Sequence, residues 1–208
     1  MIKNVGICDA NMLLKRELRR RIRSSLFSMP QDSIDRESVS LVQKFVTSVT
    51  YKNASSIALY ASMPHELNTS SLLHRAFEDS KRVFLPRVIS KENHDMVMLE
   101  CKSMDELNSW VPNSWKIREP PLEEGRLQSP KDVQLDVVVV PGVAFDSLCR
   151  RCGQGMGFYD KFLAACHSSK RPMPYTVALA LSVQMVDTVP TDDSDWQIDE
   201  VIHGKSVK

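Results

Sequence analysis

The sequence lacks several features that mark other classes of protein. No apolar run approaches the roughly 20 residues that a membrane-spanning helix needs, and residues 1–20 hold no hydrophobic stretch typical of a secretion signal. The 27 basic and 26 acidic side chains nearly cancel, so no overall field attracts nucleic acid or anionic lipid. Aromatic residues make up only 7% and are not interleaved with basic ones, which disfavours an RNA-binding protein. We therefore predict neither a membrane nor a nucleic-acid partner.

The cysteines do not indicate a disulfide-stabilised fold. There are 5 of them, an odd number, and with no secretion signal we expect reduced thiols in a cytoplasmic protein, with a mitochondrial location as an open alternative. Cys149 and Cys152 have the CxxC spacing of zinc and redox sites. A zinc site needs a second pair of ligands, so we interpret this lone spacing as a coincidence.

Length and periodicity predict a single α/β domain over residues 1–208. Leu14, Leu18 and Ile22 form the apolar stripe of a helix over residues 12–27, and a second helical pattern follows Pro30. Short apolar runs typical of buried strands lie at residues 55–63, 81–88, 95–100, 135–142 and 175–181, with helical segments at 69–80 and 158–166. This alternation predicts an open, mainly parallel sheet with helices on both faces, and residues 119–134, rich in proline and charge, as a surface loop.

The segment RRCGQGMGFYDKFL, residues 150–163, carries the strongest functional signal. Three alternating glycines let backbone amides approach a ligand, and the helix that follows offers free N–H groups and the positive end of its dipole. Arg150 and Arg151 add two guanidinium groups. We interpret the segment as a phosphate-binding loop, with a mobile hinge as the competing interpretation. The pattern differs from both GxxxxGK[ST] and GxGxxG, and it comes late in the chain, which disfavours a nicotinamide-dependent oxidoreductase.

Other charged residues are candidates whose simpler roles stay open. Lys15, Arg19 and Arg23 recur on one helix face, which suits either a nucleotide phosphate or plain solvation. Glu66 follows a strand end, where it can accept paired N–H donors from a heterocycle, although helix capping competes for this stretch. Asp160 stands in a first helical turn, a favourable place for a carboxylate and also a candidate Mg²⁺ ligand.

Together these segments resemble the 5-formyltetrahydrofolate cyclo-ligase family, also called methenyltetrahydrofolate synthetase. The resemblance covers nearly the whole chain in order: KRELR (15–19), IALYASMPHELNT (57–69), KRVFLPRV (81–88), WKIREP (115–120), VVVVPGVAFD (137–146), RRCGQGMGFYDKFL (150–163) and VPTDDSDWQIDEVI (189–202). It implies ATP-dependent conversion of 5-formyltetrahydrofolate to 5,10-methenyltetrahydrofolate by a monomer, with Mg²⁺ bound beside ATP. A reduced-folate-binding paralogue without turnover is the alternative.

The resemblance also implies a set of site residues, which fall into groups by role. The catalytic residues are Arg151 and Asp160, and the Mg²⁺ ligands are Asp160 and Asp195. The ATP contacts are Lys15, Arg16, Glu17, Leu18, Arg19, Arg151, Cys152, Gly153, Gln154, Gly155, Met156, Gly157, Phe158 and Tyr159. The folate contacts are Ala61, Met63, Glu66, Trp115, Gln154, Gly155, Met156, Gly157 and Phe158. This chain departs from the family pattern at Gln154 and Met156, where many members carry a basic residue, and at Phe158, where tyrosine is more common.

Overall fold

The computed structural model describes residues 5–114 and 116–204, with side chains from residue 10 onward. In chain order the elements are α1 (Val5–Ser28), α2 (Gln31–Thr47), α3 (Val49–Asn53), β1 (Ser56–Ala58), α4 (Ser70–Glu78), β2 (Arg82–Ser90), β3 (Asp95–Cys101), α5 (Met104–Ser109), β4 (Gln128–Ser129), β5 (Val137–Val139), β6 (Ala144–Phe145), β7 (Arg151–Cys152), α6 (Phe158–Ser168), β8 (Tyr175–Ala180) and β9 (Glu200–His203). A 3-10 helix spans Ser182–Gln184.

Within residues 5–114 and 116–204, seven strands form one mixed sheet in the order β4-β3-β2-β1-β5-β8-β9. The five strands from β2 to β9 are parallel, and Ile57 at the centre pairs with Val83 on one side and Val137 on the other. β3 and β4 extend the β2 edge with antiparallel pairings. The predicted mainly parallel sheet is therefore confirmed. β6 and β7 form a separate two-stranded ribbon that leads into the glycine loop.

The two faces of the sheet are covered unequally. Helices α1 to α5 contribute to a large apolar cluster on one face, together with inward side chains such as Ile57 and Val139. On the other face α6 is the helix of the second cluster, through Phe162, Leu163 and Cys166. Alternate residues of each buried strand serve the two clusters, as strand geometry requires. Helices on both faces are confirmed, and within the described chain none is long and apolar enough to cross a membrane.

The buried stripe of α1 differs from the predicted one by one residue. Leu14 is 56% exposed, whereas Lys15, Leu18, Ile22 and Leu26 are buried. Apolar periodicity favoured a leucine over a lysine at the core-facing position. The lysine is buried because two carboxylates from a distant loop bind its ammonium group, which compensates for its desolvation.

Several short elements were not predicted from the sequence, among them three strands. Gln128–Ser129 of the predicted surface loop pair with β3, so that interpretation was wrong for these two residues. Arg151–Cys152, the start of the glycine segment, pair with β6 rather than forming loop. Glu200–His203 close the sheet beside β8. Strands of two to four residues show too little periodicity to be recognised, and their partners alone make them strands.

Candidate active site

The candidate site lies at the carboxyl edge of the parallel strands. The loop after β1 carries Glu66, and the loop after β5 leads through the β6–β7 ribbon to the glycine loop, residues 153–157. Residues 154–157 are exposed, so their backbone amides are accessible to a ligand. α1 and the acidic loop at residues 191–199 border the same region through Lys15. This is where an open α/β sheet binds its ligands.

Arg151 and Asp160, the two predicted catalytic residues, form an ion pair. A guanidinium Nη of Arg151 lies 2.7 Å from Asp160 Oδ1, and the other donates to the Pro141 carbonyl at 3.2 Å. Arg151 is 5% exposed, and its Nε has no partner among the described residues. Asp160 Oδ1 also accepts the Trp196 N–H at 3.0 Å. The pair therefore joins the ribbon, the first turn of α6 and the acidic loop.

Two positions in the loop require glycine for different physical reasons. A Cβ on Gly153 would lie 2.7 Å from Nη1 of Arg151, too close without displacing the guanidinium group. Gly155 has φ +102°, a region that side chains disfavour, and its Cβ would meet the Arg19 guanidinium at 3.4 Å. Both glycines thus let arginine side chains pack directly against the loop backbone.

The basic row of α1 runs along the glycine loop. Arg19 Nε donates to the Gly153 carbonyl at 2.8 Å, and Arg23 donates to the Gln154 side-chain oxygen. Lys15, at the start of the row, binds Asp192 at 2.6 Å and also Asp195. The sequence placed these three cations on one helix face, and the structure brings that face to the loop.

Burial and ion pairing act in opposite directions on Lys15. Burial alone would lower the pKa of its ammonium group, but the hydrogen bonds that it donates to Asp192 and Asp195 outweigh burial and raise it. The same hydrogen bond from Lys15 holds the pKa of Asp192 at about 2. Lys15 is therefore a cation with two anions beside it. Asp192 was missed from the sequence because acidic runs in loops are usually only solvated.

Glu66 connects the loop after β1 to the glycine loop. Its Oε1 accepts from Gln154 Nε2 at 3.2 Å, and its Oε2 accepts the Met63 N–H at 3.0 Å. Burial raises the pKa of Glu66, although these two hydrogen bonds act to lower it. Ala61 and Met63 lie partly buried in the same loop. Gln154 therefore links the acidic and basic sides of the site, since its side chain also binds Arg23.

Several predicted site residues have other placements. Leu18 packs in the core, while Arg16 and Glu17 are exposed on α1 and Glu17 pairs with Arg20. The Cys152 side chain is buried in the α1-side cluster, which leaves its backbone for any ligand contact. Phe158 packs on the α6 side. Trp115 lies outside the described residues.

Arg150 is the clearest departure from the expected phosphate-binding loop. Its Nε lies 2.7 Å from Oδ2 of Asp146, a carboxylate that is fully buried. Asp146 also accepts the N–H groups of Leu148 and Val189. The expectation that Arg150 and Arg151 act together is therefore wrong: Arg150 holds its own turn, and Arg151 alone of the two bonds to Asp160.

The two carboxylates expected to bind Mg²⁺, Asp160 and Asp195, already accept hydrogen bonds within the protein. Asp160 and Asp195 lie close together, because the residue after Asp195, Trp196, donates its backbone N–H to Asp160. Asp195 in turn accepts from Lys15 and from the Asp192 N–H. Among the described residues there is no group of three His, Cys, Asp or Glu side chains arranged to hold a metal ion alone. Any metal at this site would need ligands from a bound molecule or water as well.

Comparison with known proteins supplies the family. The family model described as the 5-formyltetrahydrofolate cyclo-ligase family matches residues 11–204. The mouse 5-formyltetrahydrofolate cyclo-ligase is 32% identical over 192 residues, which is 92% of this chain and 94% of the mouse protein. The Escherichia coli K12 protein of the same name is 32% identical over 154 residues, 72% of this chain and 78% of its own.

Solved structures agree with this assignment. The NMR structure of the Aquifex aeolicus 5,10-methenyltetrahydrofolate synthetase has a TM-score of 0.73 and 25% identity, and the match covers 94% of this chain and 96% of that chain. The Mycoplasma pneumoniae synthetase, at 23% identity and a TM-score of 0.66, shows the same fold. By sequence over most of its length and by fold, this chain belongs to the 5-formyltetrahydrofolate cyclo-ligase family.

Proposed function

We propose that the protein converts 5-formyltetrahydrofolate and ATP to 5,10-methenyltetrahydrofolate, ADP and phosphate. One observation supports this beyond family membership. Gln154 binds Glu66 on one side and Arg23 on the other, so a carboxylate suited to a heterocycle and a cationic loop suited to phosphate share one site. A reaction that joins folate to the terminal phosphate of ATP needs such an arrangement.

The proposed chemistry has two steps that balance. The formyl oxygen attacks the γ-phosphorus, an O–P bond forms, and the bond from that phosphorus to the bridging oxygen of ADP breaks. N10 then attacks the activated formyl carbon, a C–N bond forms, the C–O bond breaks to release phosphate, and the N10 proton is lost. The protein supplies no covalent group in this scheme. Its contribution is to align the reactants and to neutralise the phosphate charge.

The phosphate side of the site is assigned to the glycine loop and its cations. Arg151 is buried and pre-positioned by Asp160, so it faces a phosphoryl group with little loss of rotamer entropy. The exposed amides of residues 154–157 and the N-terminus of α6 add donors. Lys15 and Arg19 complete the ATP site in this proposal, with Phe158 at its border.

Mg²⁺ is assigned to Asp160 and Asp195. Magnesium usually binds one or two carboxylates, with phosphate oxygens and water as its other ligands, so two aspartates on adjoining segments suit it. Each of these carboxylates accepts the hydrogen bonds described above through one oxygen, which is Oδ1 in Asp160 and Oδ2 in Asp195. When bound with ATP, the ion would withdraw negative charge from the phosphates.

The folate side is assigned to the loop after β1. Glu66 accepts N–H groups of the pterin ring, and Ala61 and Met63 contact its flat face, as Trp115 does in this proposal. The partly desolvated carboxylate suits this role because its hydrogen bonds are made in a region of low polarity.

The proposed enzyme acts as a cytoplasmic monomer. A mitochondrial location is the alternative, since a relative from Arabidopsis thaliana is named a mitochondrial cyclo-ligase.

The test of this function is a spectrophotometric assay. Protein, Mg²⁺, ATP and 5-formyltetrahydrofolate are expected to give the near-ultraviolet absorbance of the methenyl product, and none should form when ATP is omitted. Folate binding without any ATP-dependent product would instead support the non-catalytic folate-binding paralogue. If the protein showed no folate binding and no turnover, both the proposed enzyme and the folate-binding paralogue would be contradicted.

Replacing Glu66 with glutamine is expected to weaken folate use and to stabilise the free protein. The pKa of Glu66 is raised above its reference value of 4.5, so the ionised form destabilises the fold above that pH. Glu66→Gln should therefore raise Tm near pH 7.5, and the gain should vanish below about pH 4, where the carboxyl is protonated in both states. Loss of the charged acceptor should lower kcat/KM for folate about 10- to 100-fold.

The control for this variant is Glu124→Gln, which changes an exposed glutamate in the loop before β4. It should alter neither Tm nor folate kinetics. Thermal unfolding across this pH range and initial rates at varied folate check both statements. A pH-independent change in Tm for Glu66→Gln would contradict the charge argument.

Replacing Met156 with lysine is expected to lower KM for ATP. Met156 is 41% exposed in the glycine loop, so a lysine there can reach a phosphate without being buried. Arg150, which could have repelled it, is neutralised by Asp146. The gain should reach about tenfold at low salt and shrink as ionic strength rises. KM for folate should stay nearly unchanged, and Met156→Gln, which adds no charge, is the control. An unchanged ATP constant would mean that this side chain points away from the nucleotide.

A further inference from the structure

The Tyr159 hydroxyl is a buried polar group with no hydrogen-bond partner among the described residues. It belongs to the first turn of α6, and its ring packs against the α6-side cluster. Native proteins rarely leave a buried hydroxyl unsatisfied, because the group loses its water without gaining a replacement. The packing of the ring therefore does not explain why the hydroxyl is there.

The surroundings of this hydroxyl are those of the candidate site. Burial raises the pKa of Tyr159 well above its usual range, Arg151 acts to lower it, and Glu66 raises it further. Burial likewise raises the pKa of Tyr60, and Glu66 and Tyr159 raise it further. Tyr159 directly precedes Asp160, whose carboxylate binds Arg151, and it follows the glycine loop, in which Gln154 binds Glu66. Tyr159 therefore stands between the contact of Gln154 with Glu66 and the ion pair of Arg151 with Asp160, and the effects on its pKa agree with this placement.

A second buried group without a hydrogen-bond partner restricts the kind of ligand atom that could pair with the Tyr159 hydroxyl. Arg151 Nε is also buried without a partner in the described part of the chain, on the residue whose charge acts on Tyr159. A guanidinium nitrogen can only donate, and a tyrosine hydroxyl can donate as well. One or more acceptor oxygens, brought by a ligand, would satisfy both groups.

We propose that the Tyr159 hydroxyl donates a hydrogen bond to the N5-formyl oxygen of the bound folate and positions that oxygen for phosphorylation. The proposal rests on the proposed function. Glu66 is assigned to the pterin ring and Arg151 to the terminal phosphate, and the formyl oxygen is the atom that must join the two. Tyr159 then serves the folate, whereas the family resemblance assigns it to ATP.

The first test is Tyr159→Phe, which keeps the ring and removes the hydroxyl. The kcat/KM for 5-formyltetrahydrofolate should fall about tenfold, the effect of one ordinary hydrogen bond, while KM for ATP stays unchanged. The Tm of the ligand-free variant should rise by about 2–4 °C because an unsatisfied group is removed. A rise in Tm together with a fall in activity is a combination that a purely structural hydroxyl would not give.

Tyr51→Phe is the matched control. Tyr51 is also buried, but its hydroxyl donates to Asp79 at 3.0 Å, and both residues come just before parallel strands, at the sheet edge opposite to the site. Its loss should lower Tm and leave both kinetic constants unchanged. The two substitutions thus have opposite expected signs in Tm and different effects on activity, although each removes one hydroxyl.

The second test compares two folates by titration calorimetry without ATP. 5-Methyltetrahydrofolate lacks the formyl oxygen, so Tyr159→Phe should weaken binding of 5-formyltetrahydrofolate and leave binding of the 5-methyl compound unchanged. This comparison needs no turnover, so it decides the role of Tyr159 even if the wild-type protein forms no methenyl product. Equal losses for the two folates, a loss confined to ATP, or no binding of 5-formyltetrahydrofolate by the wild type would each overturn the proposal.

Discussion

Arg151→Ala is expected to reduce kcat/KM for ATP by about 100- to 1000-fold, the effect of removing a pre-positioned donor to a developing charge. Its guanidinium group is 5% exposed and tied to Asp160 and the Pro141 carbonyl, so no other cation can take its place without rebuilding the ribbon. Folate binding should change little, since Glu66 bonds to Gln154 and Met63 rather than to Arg151. Initial rates at varied ATP, and calorimetric titration with folate, measure the two effects separately.

The same substitution should also destabilise the protein, because Asp160 loses its cation. Breaking a buried ion pair from one side removes about 3–5 kcal/mol of unfolding free energy, and the partly exposed Asp160, which keeps the Trp196 N–H, should bring the loss to the lower end. Kinetics are therefore measured well below the Tm of the variant. Arg151→Lys keeps a charge and should recover stability better than ATP use, since an ammonium cannot bind Asp160 and a phosphate in a fork.

Arg150→Ala is the control that the chain itself provides. Its guanidinium binds the buried Asp146, so this variant should lose stability while kcat/KM for ATP stays within about twofold of the wild type. Arg150 would then contribute to stability alone, whereas Arg151 would contribute to phosphate recognition as well. A comparable loss of ATP use in both variants would contradict the assignment of Arg151 alone.

Lys15→Met is expected to have the second-largest effect, on stability and on ATP use together. The side chain is buried and its ammonium holds Asp192 and Asp195, so removal leaves two carboxylates close together without a cation. We expect a loss of about 2–3 kcal/mol, reduced from the fully buried case because Asp192 is more than one-third exposed. Thermal unfolding should show a Tm lower by about 5–10 °C. KM for ATP should rise at least about tenfold, because one charge-assisted contact to phosphate is lost.

A second substitution separates these two effects of Lys15. In Lys15→Met with Asp192→Asn, one unpaired charge is removed, so part of the stability should return while KM for ATP stays high. Arg21→Met, which changes an exposed arginine of α1 outside the proposed ATP site, should change neither quantity. Recovery of ATP use in the double variant would mean that Lys15 acts only by holding the acidic loop.

Local patterns in the sequence were enough for the main elements. Apolar runs located the longer strands, and the 3.6-residue period located α1, α2, α4 and α6, because each buried face requires such a pattern wherever it packs. The row of Lys15, Arg19 and Arg23 and the alternating glycines followed from spacing in the same way. The order of the motifs along the chain indicates the family without any tertiary contact.

Which polar groups meet was decided by the tertiary structure. Lys15, rather than Leu14, faces inward because Asp192 and Asp195 lie against it from the far end of the chain. Arg150 and Arg151 are neighbours with identical side chains, yet one binds Asp146 and the other Asp160.

The bridge from Glu66 through Gln154 to Arg23 likewise joins three distant segments. Periodicity reports most of the buried face of an element, since the apolar side chains of that face recur with the period of the element itself. The partner of a charge depends on which loops the fold brings together. The distance between those loops is set by the sheet and not by any local sequence pattern.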